Sequence, residues 1–451
     1  MSADDLAKIV DREHLQRALV KLSGSDNVQL TRDIQVESGT TSFAGFLSVV
    51  LRVKVSFIIP DDPKPREKSL FVKCLPREKF QQDLVKELNV FHRESVYYGS
   101  VLPLLERAAG GRLDVPIPKC YHTYSDGSND VLYLEDLVES GFGMAGDNCR
   151  NDGLDGEHSL LVARKLGVLH ALTMAAERIL PSGKRTWAEA TPSLGRDALY
   201  YDVPPGEKPA PFKGVADTGN EIVVEVAAKL PGLPKLAADS GRLRKIILRF
   251  WSITAELLKP NAKGRNVLCH GDAWANNFMF TYKPDGAGRM KPHDMKFVDL
   301  QLAKYCHPAV DLLFYMYLGV GDAYRRKFYD AIVREYYESL RNSLSVLEYG
   351  SPPFSFEEFR SDVNEIYRPF AVYLRAVFTP CMQLGEDFMP KNVEDMTPEL
   401  FQEIVKTGNV AAIRRHLESD PPYRCKVEAA VKEFVEVVFP DGSIDSSPFL
   451  I

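Results

Sequence analysis

The chain has 451 residues, of which 45% are hydrophobic and 26% are charged, a composition typical of a globular protein with a substantial core. Its net charge of −6 and the lack of a dense block of lysine and arginine argue against a nucleic-acid partner. Seven cysteines lie scattered along the chain without a metal-binding spacing, which indicates reduced thiols in a cytoplasmic protein.

The pattern of the amino terminus predicts a charged amphipathic helix. This segment lacks the apolar core of a signal peptide. The most apolar stretch, residues 310–320, is too short to cross a bilayer and contains Asp311. We therefore expect no membrane span, and no pattern in the chain indicates an obligate protein partner.

A small β-rich unit is predicted before residue 140. Residues 46–59 are rich in β-branched and aromatic side chains and predict a strand, which ends at the turn of residues 60–63. Residues 70–75 predict a second strand, residues 78–108 a helix, and residues 131–134 a third strand. The predicted order is strand, strand, helix, strand.

The pattern changes after this unit. Residues 139–157 are rich in glycine, aspartate and asparagine and predict a loop, and residues 158–179 predict a helix. Beyond residue 300 the chain is expected to be mainly helical. Ser355-Phe356-Glu357-Glu358 has the spacing of a capping box, and Thr397-Pro398 suits a helix start with proline in the first turn.

A hairpin is predicted between these regions, where residues 278–282 and 295–298 form two strand-like runs joined by a turn-rich segment. In an antiparallel pair the start of the first strand lies beside the end of the second, so Asn277 and Asp299 should be neighbours. Asp272 is close enough in sequence to face the same cleft. Carboxylate and amide oxygens are ligands that Mg²⁺ selects, so a magnesium site is expected here.

The motif HGDxWxxNxMF begins at His270 and is followed by Asp299-Leu300-Gln301, Pro308 and Asp311-Leu312. This pattern resembles the ecdysteroid kinase-like (CHK kinase-like) family, within the aminoglycoside and choline phosphotransferases. The resemblance covers about residues 35–420. It implies an α+β, bilobal protein-kinase-like fold, with a small β-rich lobe in residues 1–137 and a larger, mainly helical lobe in residues 138–451.

The resemblance also implies roles for individual residues. Asp272 resembles the catalytic aspartate that orients or deprotonates the acceptor hydroxyl, and Asn277 and Asp299 resemble Mg²⁺ ligands. Lys73 resembles the strand lysine that contacts the α- and β-phosphates of ATP. Glu94 resembles the helix glutamate that pairs with this lysine.

Other expected roles lie in loops. Gly39 and Gly45 fall in the segment that should cover the nucleotide, although this segment is not a GxGxxG motif. Glu135 and Leu137 lie in the stretch that should join the lobes and bind adenine through its backbone.

Two further residues are expected to support the site, and a third is an alternative to Glu94. His270 is expected to hold the catalytic loop by backbone hydrogen bonds, and Asp311 resembles the buried aspartate that braces this loop. Glu87 lies on the same predicted helical face as Glu94 and is the alternative partner for Lys73.

The acceptor is expected to be a small molecule. Eleven residues, Leu300 to Val310, separate Asp299 from Asp311, too few for the long segment with which protein kinases dock peptides. Residues 376–395 mix apolar and acidic side chains, which would suit a lipophilic or a cationic acceptor respectively. An ordinary core with a solvated loop also explains this mixture.

Three hypotheses follow for the function. The first is an ATP- and Mg²⁺-dependent small-molecule kinase that phosphorylates a hydroxyl of a lipophilic, ecdysteroid-like acceptor. The second keeps this chemistry with choline, ethanolamine or an aminoglycoside as the acceptor, and the third is a non-catalytic binding protein on a kinase scaffold. The presence of Lys73, Asp272, Asn277 and Asp299 together argues against the third.

Overall fold

The computed structural model describes residues 10–39, 47–60, 62–76, 78–146, 153–181, 183–204, 206–230, 240–388, 390 and 395–441. The chain divides into two compact units. Residues 1–194, 267–304 and 319–352 form the first, and residues 195–266, 305–318 and 353–451 form the second. An antiparallel sheet region near the amino terminus and a larger, mainly helical part confirm the α+β class predicted from the sequence. The expected lobe boundary after residue 137 stays a prediction.

Six antiparallel strands of the first unit form one sheet. They are Gln29–Leu30 (β1), Gln35–Ser38 (β2), Val49–Ile59 (β3), Asp62–Cys74 (β4), Cys120–Tyr124 (β5) and Val131–Glu135 (β6). The strand order is β1-β3-β4-β6-β5, with β2 also paired to β3. The second predicted strand begins earlier than expected because Ile59 already pairs with Asp62 across a tight turn. The sequence analysis did not predict β5.

A helix covers one face of this sheet. Arg12–Ser23 (α1) begins at Asp11, whose carboxylate accepts hydrogen bonds from the amides of Glu13 and His14. Its buried side chains join those of the strands in one hydrophobic core, to which α1 contributes Leu15, Ala18 and Leu19. The expected amino-terminal helix is therefore confirmed over the residues described.

The single helix predicted over residues 78–108 is wrong in its continuity. The chain forms Lys79–Leu88 (α2), Val90–Val96 (α3), a π-helical turn at Tyr97–Val101, and Leu102–Ala109 (α4). The break between α2 and α3 occurs because Asn89 adopts the left-handed conformation, with φ of 54°. Asparagine tolerates this conformation better than most residues.

Five more strands follow: Gly143–Met144 (β7), Val267–Cys269 (β8), Phe278–Pro284 (β9), Met290–Phe297 (β10) and Lys304–Cys306 (β11). The predicted hairpin is confirmed as β9 and β10, and β7 pairs with the other edge of β9. The remaining α-helices of the first unit are Gly156–Glu177, Trp187–Ala190 and Asp322–Val346. Short 3-10 turns occur at Pro192–Leu194, Ala275–Asn277 and Leu300–Leu302.

The described elements of the second unit are almost entirely helical. Its α-helices are Lys213–Ala227, Ser240–Leu257, Ala309–Leu318, Phe356–Ser361, Arg368–Met382, Pro398–Thr407, Val410–Ser419 and Pro421–Val438. A π-helical segment, Asp362–Tyr367, and a 3-10 turn, Gly385–Asp387, lie among them. Both predicted helix starts are confirmed: Ser355 and Glu358 form the capping box, and Thr397 accepts a hydrogen bond from the amide of Leu400.

One described helix, Gly156–Glu177, is long and apolar enough to cross a membrane. However, 78% of its apolar window is buried inside the protein, as in the core helix of a globular unit. Its residue His170 is fully buried and hydrogen-bonds the hydroxyl of Tyr336 on the neighbouring helix, at 2.9 Å.

Candidate active site

The loop after β8 turns sharply at Gly271. This glycine has φ of 82°, in the left-handed region, and a β-carbon there would lie 2.0 Å from the carbonyl oxygen of Leu302. A side chain at this position would therefore collide with the backbone that follows Asp299. Glycine is required both by its conformation and by this close approach.

His270 holds the same loop through two hydrogen bonds to the backbone. Its Nε2 donates to the carbonyl of Val298 at 2.9 Å, and its Nδ1 accepts from the amide of Asp272 at 3.2 Å. Together these contacts require the neutral ring protonated at Nε2. His270 makes the backbone hydrogen bonds expected from the sequence, and it is fully buried.

The side chains of Asp272 and Asn277 meet across the loop. The Asn277 amide nitrogen donates to both the carbonyl and the carboxylate Oδ2 of Asp272, each at 2.9 Å. The backbone follows the same curve, because the Asn277 amide donates to the Trp274 carbonyl at 2.9 Å. With its nitrogen engaged in this way, the side-chain oxygen of Asn277 is the candidate atom for the metal contact predicted from the sequence.

The hairpin brings the predicted residues of its two ends together. Phe278 pairs with Phe297, and the amide of Val298 donates to the carbonyl of Asn277 at 3.0 Å. Asp299 follows directly, so the sequence prediction that the start of β9 lies beside the end of β10 is confirmed.

Asp299 joins a buried ion-pair cluster. The Lys73 amine on β4 lies 2.8 Å from Asp299 Oδ1 and 2.7 Å from Glu94 Oε2. The other oxygen of Glu94 accepts the amide of Leu300 at 3.1 Å, and the Gln301 side chain donates to Asp299 Oδ2 at 3.2 Å. Of the two glutamates considered in the sequence, Glu94 is the one that holds Lys73.

Three ionisable side chains of the site have shifted pKa values. Burial and the nearby charge of Asp299 raise the pKa of Asp272 to about 7, and Asn277 and Lys304 oppose this rise. Burial alone would lower the pKa of Lys73, but Asp299 and Glu94 outweigh it and raise that pKa. Burial raises the pKa of Glu94 against the effect of Lys73. We take the Lys73–Glu94 pair as ionised, because the lysine faces two carboxylates at hydrogen-bond distance.

The segment after β6, which the sequence predicts to join the lobes, is held by side-chain and backbone hydrogen bonds. Glu135 accepts from the Lys296 amine on β10 at 2.6 Å, and its own amide donates to the Lys119 carbonyl at 2.9 Å. The Leu137 carbonyl accepts the amide of Phe142 at 2.8 Å. Since these two backbone groups are engaged, adenine would need the Glu135 carbonyl or the Leu137 amide. Binding of a nucleotide base here stays a prediction.

Three further residues were predicted from the sequence: Gly39, Gly45 and Asp311. Gly39 continues from β2, and a β-carbon there would lie 2.5 Å from Cγ1 of Val50, so close strand packing already accounts for this glycine. Gly45 lies outside the described residues. Asp311 is fully buried in the helix Ala309–Leu318 of the second unit. Its role in bracing the loop stays a prediction.

The model of the ecdysteroid kinase-like family matches residues 42–349, which is more than half of the chain. The chain belongs to the ecdysteroid kinase-like family. No curated protein matches the chain. Membership in this family supports a kinase-like phosphotransferase in general.

The site suits the divalent metal on which kinase-like family members generally depend. The candidate donors are the side-chain oxygens of Asn277 and Asp299, and hard oxygen donors of this type are the ones that Mg²⁺ prefers. Asp299 adopts the left-handed conformation, with φ of 66°, so its carboxylate is directed by an unusual backbone. The donor set of this family member therefore fits Mg²⁺.

Sequence reasoning missed Lys304 and Arg93, and it assigned no role in the site to the motif residues Trp274 and Gln301. Lys304 is buried, and its positive charge lowers the pKa of Asp272. The Trp274 side chain also hydrogen-bonds Asp272. Gln301 contacts the Asp299 carboxylate, and Arg93 contacts the backbone that follows it. A basic residue five positions after Asp299 was the available signal for Lys304.

Proposed function

We propose that the chain is an ATP- and Mg²⁺-dependent small-molecule kinase that transfers the γ-phosphate to a hydroxyl of a small, lipophilic acceptor of the ecdysteroid type. The observation that carries this proposal is the cluster of Lys73, Glu94 and Asp299, in which Lys73 and Glu94 are buried and the charge of Asp299 helps to raise the pKa of Asp272. A carboxylate with a raised pKa beside such a cluster is a common feature of catalytic sites.

The proposed chemistry assigns a role to each side chain. Asp272 accepts the proton of the acceptor hydroxyl while the hydroxyl oxygen bonds to the γ-phosphorus, and the bond from this phosphorus to the bridging oxygen breaks to leave ADP. Lys73 binds the α- and β-phosphates and is oriented by Glu94. When bound by Asn277 and Asp299, Mg²⁺ offsets phosphate charge.

The raised pKa of Asp272 agrees with a role as proton acceptor. A general base works best when its pKa lies near the working pH, and the pKa of this group is about 7. Lys304 adds a positive charge near Asp272, which favours the ionised carboxylate.

One acidic side chain of residues 376–395 is already paired, which weighs against a cationic acceptor at this stretch. The Asp387 carboxylate contacts both Arg415 and His416, at 2.5 and 2.8 Å, so its charge is already offset within the second unit. Phe388 and Met382 are half-buried apolar side chains of the same stretch. Met389 and Glu394 of the same stretch lie outside the described residues.

We also propose a cytoplasmic location. Six of the seven cysteines are described, and all six are free thiols. Free thiols agree with a reducing compartment.

The catalytic proposal is tested by Asp272→Asn in the full chain. This change keeps the shape of the side chain but removes the proton acceptor, so we expect kcat for acceptor phosphorylation to fall by about 100-fold or more. The melting temperature should change little. Asn276→Ala, an exposed position in the same loop, is the control and should keep full activity. Wild-type activity in Asp272→Asn would refute the proposal.

The acceptor is tested separately. Purified protein is incubated with Mg²⁺ and ATP and a panel of sterols, ecdysteroid-like polyols, choline analogues and aminoglycosides, and phosphorylated products are detected by mass spectrometry. Phosphorylation of sterols or polyols supports the lipophilic acceptor. Reaction with cationic acceptors alone would exclude it while leaving the phosphotransferase activity in place.

A further inference from the structure

The helix that carries Glu94 carries a second buried charge directly before it. Arg93 is 3% exposed. Its Nε donates to the carbonyl of Gln301 at 3.3 Å and its Nη2 to the carbonyl of Ala303 at 2.6 Å. Its Nη1 donates to the carbonyl of Ser193. The five N–H donors of a guanidinium form a rigid fork, so one arginine can hold several carbonyls at once.

The segment held by Arg93 begins at a strained residue. Asp299 has φ of 66°, a conformation that is uncommon for residues other than glycine and that persists only where surrounding contacts impose it. A 3-10 turn, Leu300–Leu302, follows at once. Contacts to residues 300–303 would help to hold this backbone.

Two neighbouring side chains of α3 supply such contacts. Glu94 accepts the amide of Leu300 at 3.1 Å, and Arg93 donates to the carbonyls of Gln301 and Ala303. Glu94 also holds Lys73, which in turn lies 2.8 Å from Asp299 Oδ1. The helix thus acts on the Asp299 carboxylate through Glu94 and Lys73, and on the backbone that follows Asp299 through Glu94 and Arg93.

We propose that Arg93 is a positioning residue, which fixes the backbone after Asp299 and so keeps its carboxylate in the orientation needed to bind the nucleotide-associated metal ion. This inference rests on the proposed function, because it assigns Asp299 to the metal. Any movement of α3 that separates Glu94 from Lys73 would also release residues 301–303.

A series of substitutions separates this role from simple packing. Arg93→Met keeps much of the side-chain length and removes every donor. Arg93→Lys keeps the buried positive charge but can serve fewer carbonyls, because its donors radiate from one nitrogen. Arg107→Met, on the exposed face of α4, is the matched control.

The experiment measures the affinity of the full chain for ADP by calorimetry, with and without Mn²⁺, and the bound fraction of Mn²⁺ by electron paramagnetic resonance. Wild type and Arg107→Met should bind ADP more tightly with the metal. Arg93→Met should keep the metal-free affinity for ADP and lose about tenfold or more of the gain from Mn²⁺, as is typical when a group that orients a metal ligand is removed. Arg93→Lys should fall between these.

The outcomes are distinct. A full metal-dependent gain in Arg93→Met would overturn the inference, and so would an equal loss of metal-free ADP binding, because a structural defect affects both. Failure of both Arg93 variants to fold, seen by circular dichroism, would also overturn it by making the residue purely structural. A wild-type chain that binds no nucleotide would instead refute the proposed function.

Discussion

At the scale of single residues, Lys73 balances the charge of the site. It lies between Glu94 and Asp299, and both the lysine and Glu94 are buried. Removal of one member of a buried ion pair is costly because the remaining charge loses its partner in a medium of low dielectric constant. The residue that would bind phosphate therefore also stabilises the folded protein.

We expect Lys73→Met to lower the free energy of unfolding by about 3 kcal/mol, because two carboxylates then face each other without a cation. Adding Glu94→Gln should recover part of this loss. The measurement is chemical denaturation followed by circular dichroism. Lys79→Met, which breaks an exposed pair with Asp83, should change stability by less than about 1 kcal/mol. Equal effects of Lys73→Met and Lys79→Met would contradict the buried pair.

The residues of the site differ in how far the sequence could predict them. Asp272, Asn277 and His270 lie within eight positions of one another, and their hydrogen bonds follow from a local loop. Arg93 instead contacts carbonyls 208 and 210 positions away. A guanidinium bound to backbone carbonyls leaves no trace in the partner side chains, so no pattern of residue types indicates it.

At the scale of elements, the turn at Gly271 determines how closely the loop and the segment after Asp299 approach. Gly271→Ala forces either φ or the position of the Leu302 carbonyl to change. We expect a loss of about 1–3 kcal/mol in the free energy of unfolding and a lower kcat. Thermal melting and a kinase assay provide the measurements.

Gly286 in the β9–β10 connection is a suitable control for that substitution. No atom of the described residues lies within 4 Å of a β-carbon built at Gly286, so Gly286→Ala should leave stability and activity nearly unchanged. An equally stable and active Gly271→Ala protein would show that the loop can relax without the close approach.

Docking of α1 on the sheet is expected to depend on pH. His122 on β5 lies 3.0 Å from His14 of α1, between ring nitrogens. Burial lowers the pKa of His122 to about 4, and the nearby His14, Arg17 and Lys21 add to the effect. Because the pKa in the unfolded chain is higher, near 6.5, the unfolded state binds more protons and stability falls as the pH drops from about 6.5 to 4.

His122→Asn should flatten this part of the stability profile, since asparagine does not titrate. The measurement is hydrogen exchange of the α1 amides at pH 7 and pH 5. In the wild-type protein we expect faster opening of α1 at pH 5, relative to the control helix Arg368–Met382, which contains no histidine, aspartate or glutamate. Identical pH dependence in the wild type and in His122→Asn would assign the effect to other groups.

Elements with a strong local sequence pattern were predicted correctly. Elements that depend on strand pairing or on a single backbone angle were not. The hairpin, the capping box at Ser355 and the helix start at Thr397 were predicted because turn and cap chemistry is local. The strand Cys120–Tyr124 was missed because it is short and contains no aliphatic side chain, and it forms by pairing with β6. The break at Asn89 depends on one backbone angle.

At the scale of the whole molecule, the α+β class could be predicted because apolar periodicity changes along the chain from strands to helices. The composition of the two compact units could not. Each unit is built from three separate stretches of sequence, and residues 267–304 belong with the amino-terminal part. The crossing after residue 304 even lies inside the strand Lys304–Cys306, so no linker signal marks it.

Because of the π-helical turn Tyr97–Val101, the number of residues between Glu94 and Leu102 determines which side chains beyond the turn are buried. A regular α-helix advances by about 100° per residue, so deletion of one residue from this turn would rotate everything beyond it by that angle. Leu102 and Leu105, both buried, would then turn away from their neighbours while Glu94 stayed on Lys73. Insertions and deletions here should therefore be selected against even where substitutions are tolerated.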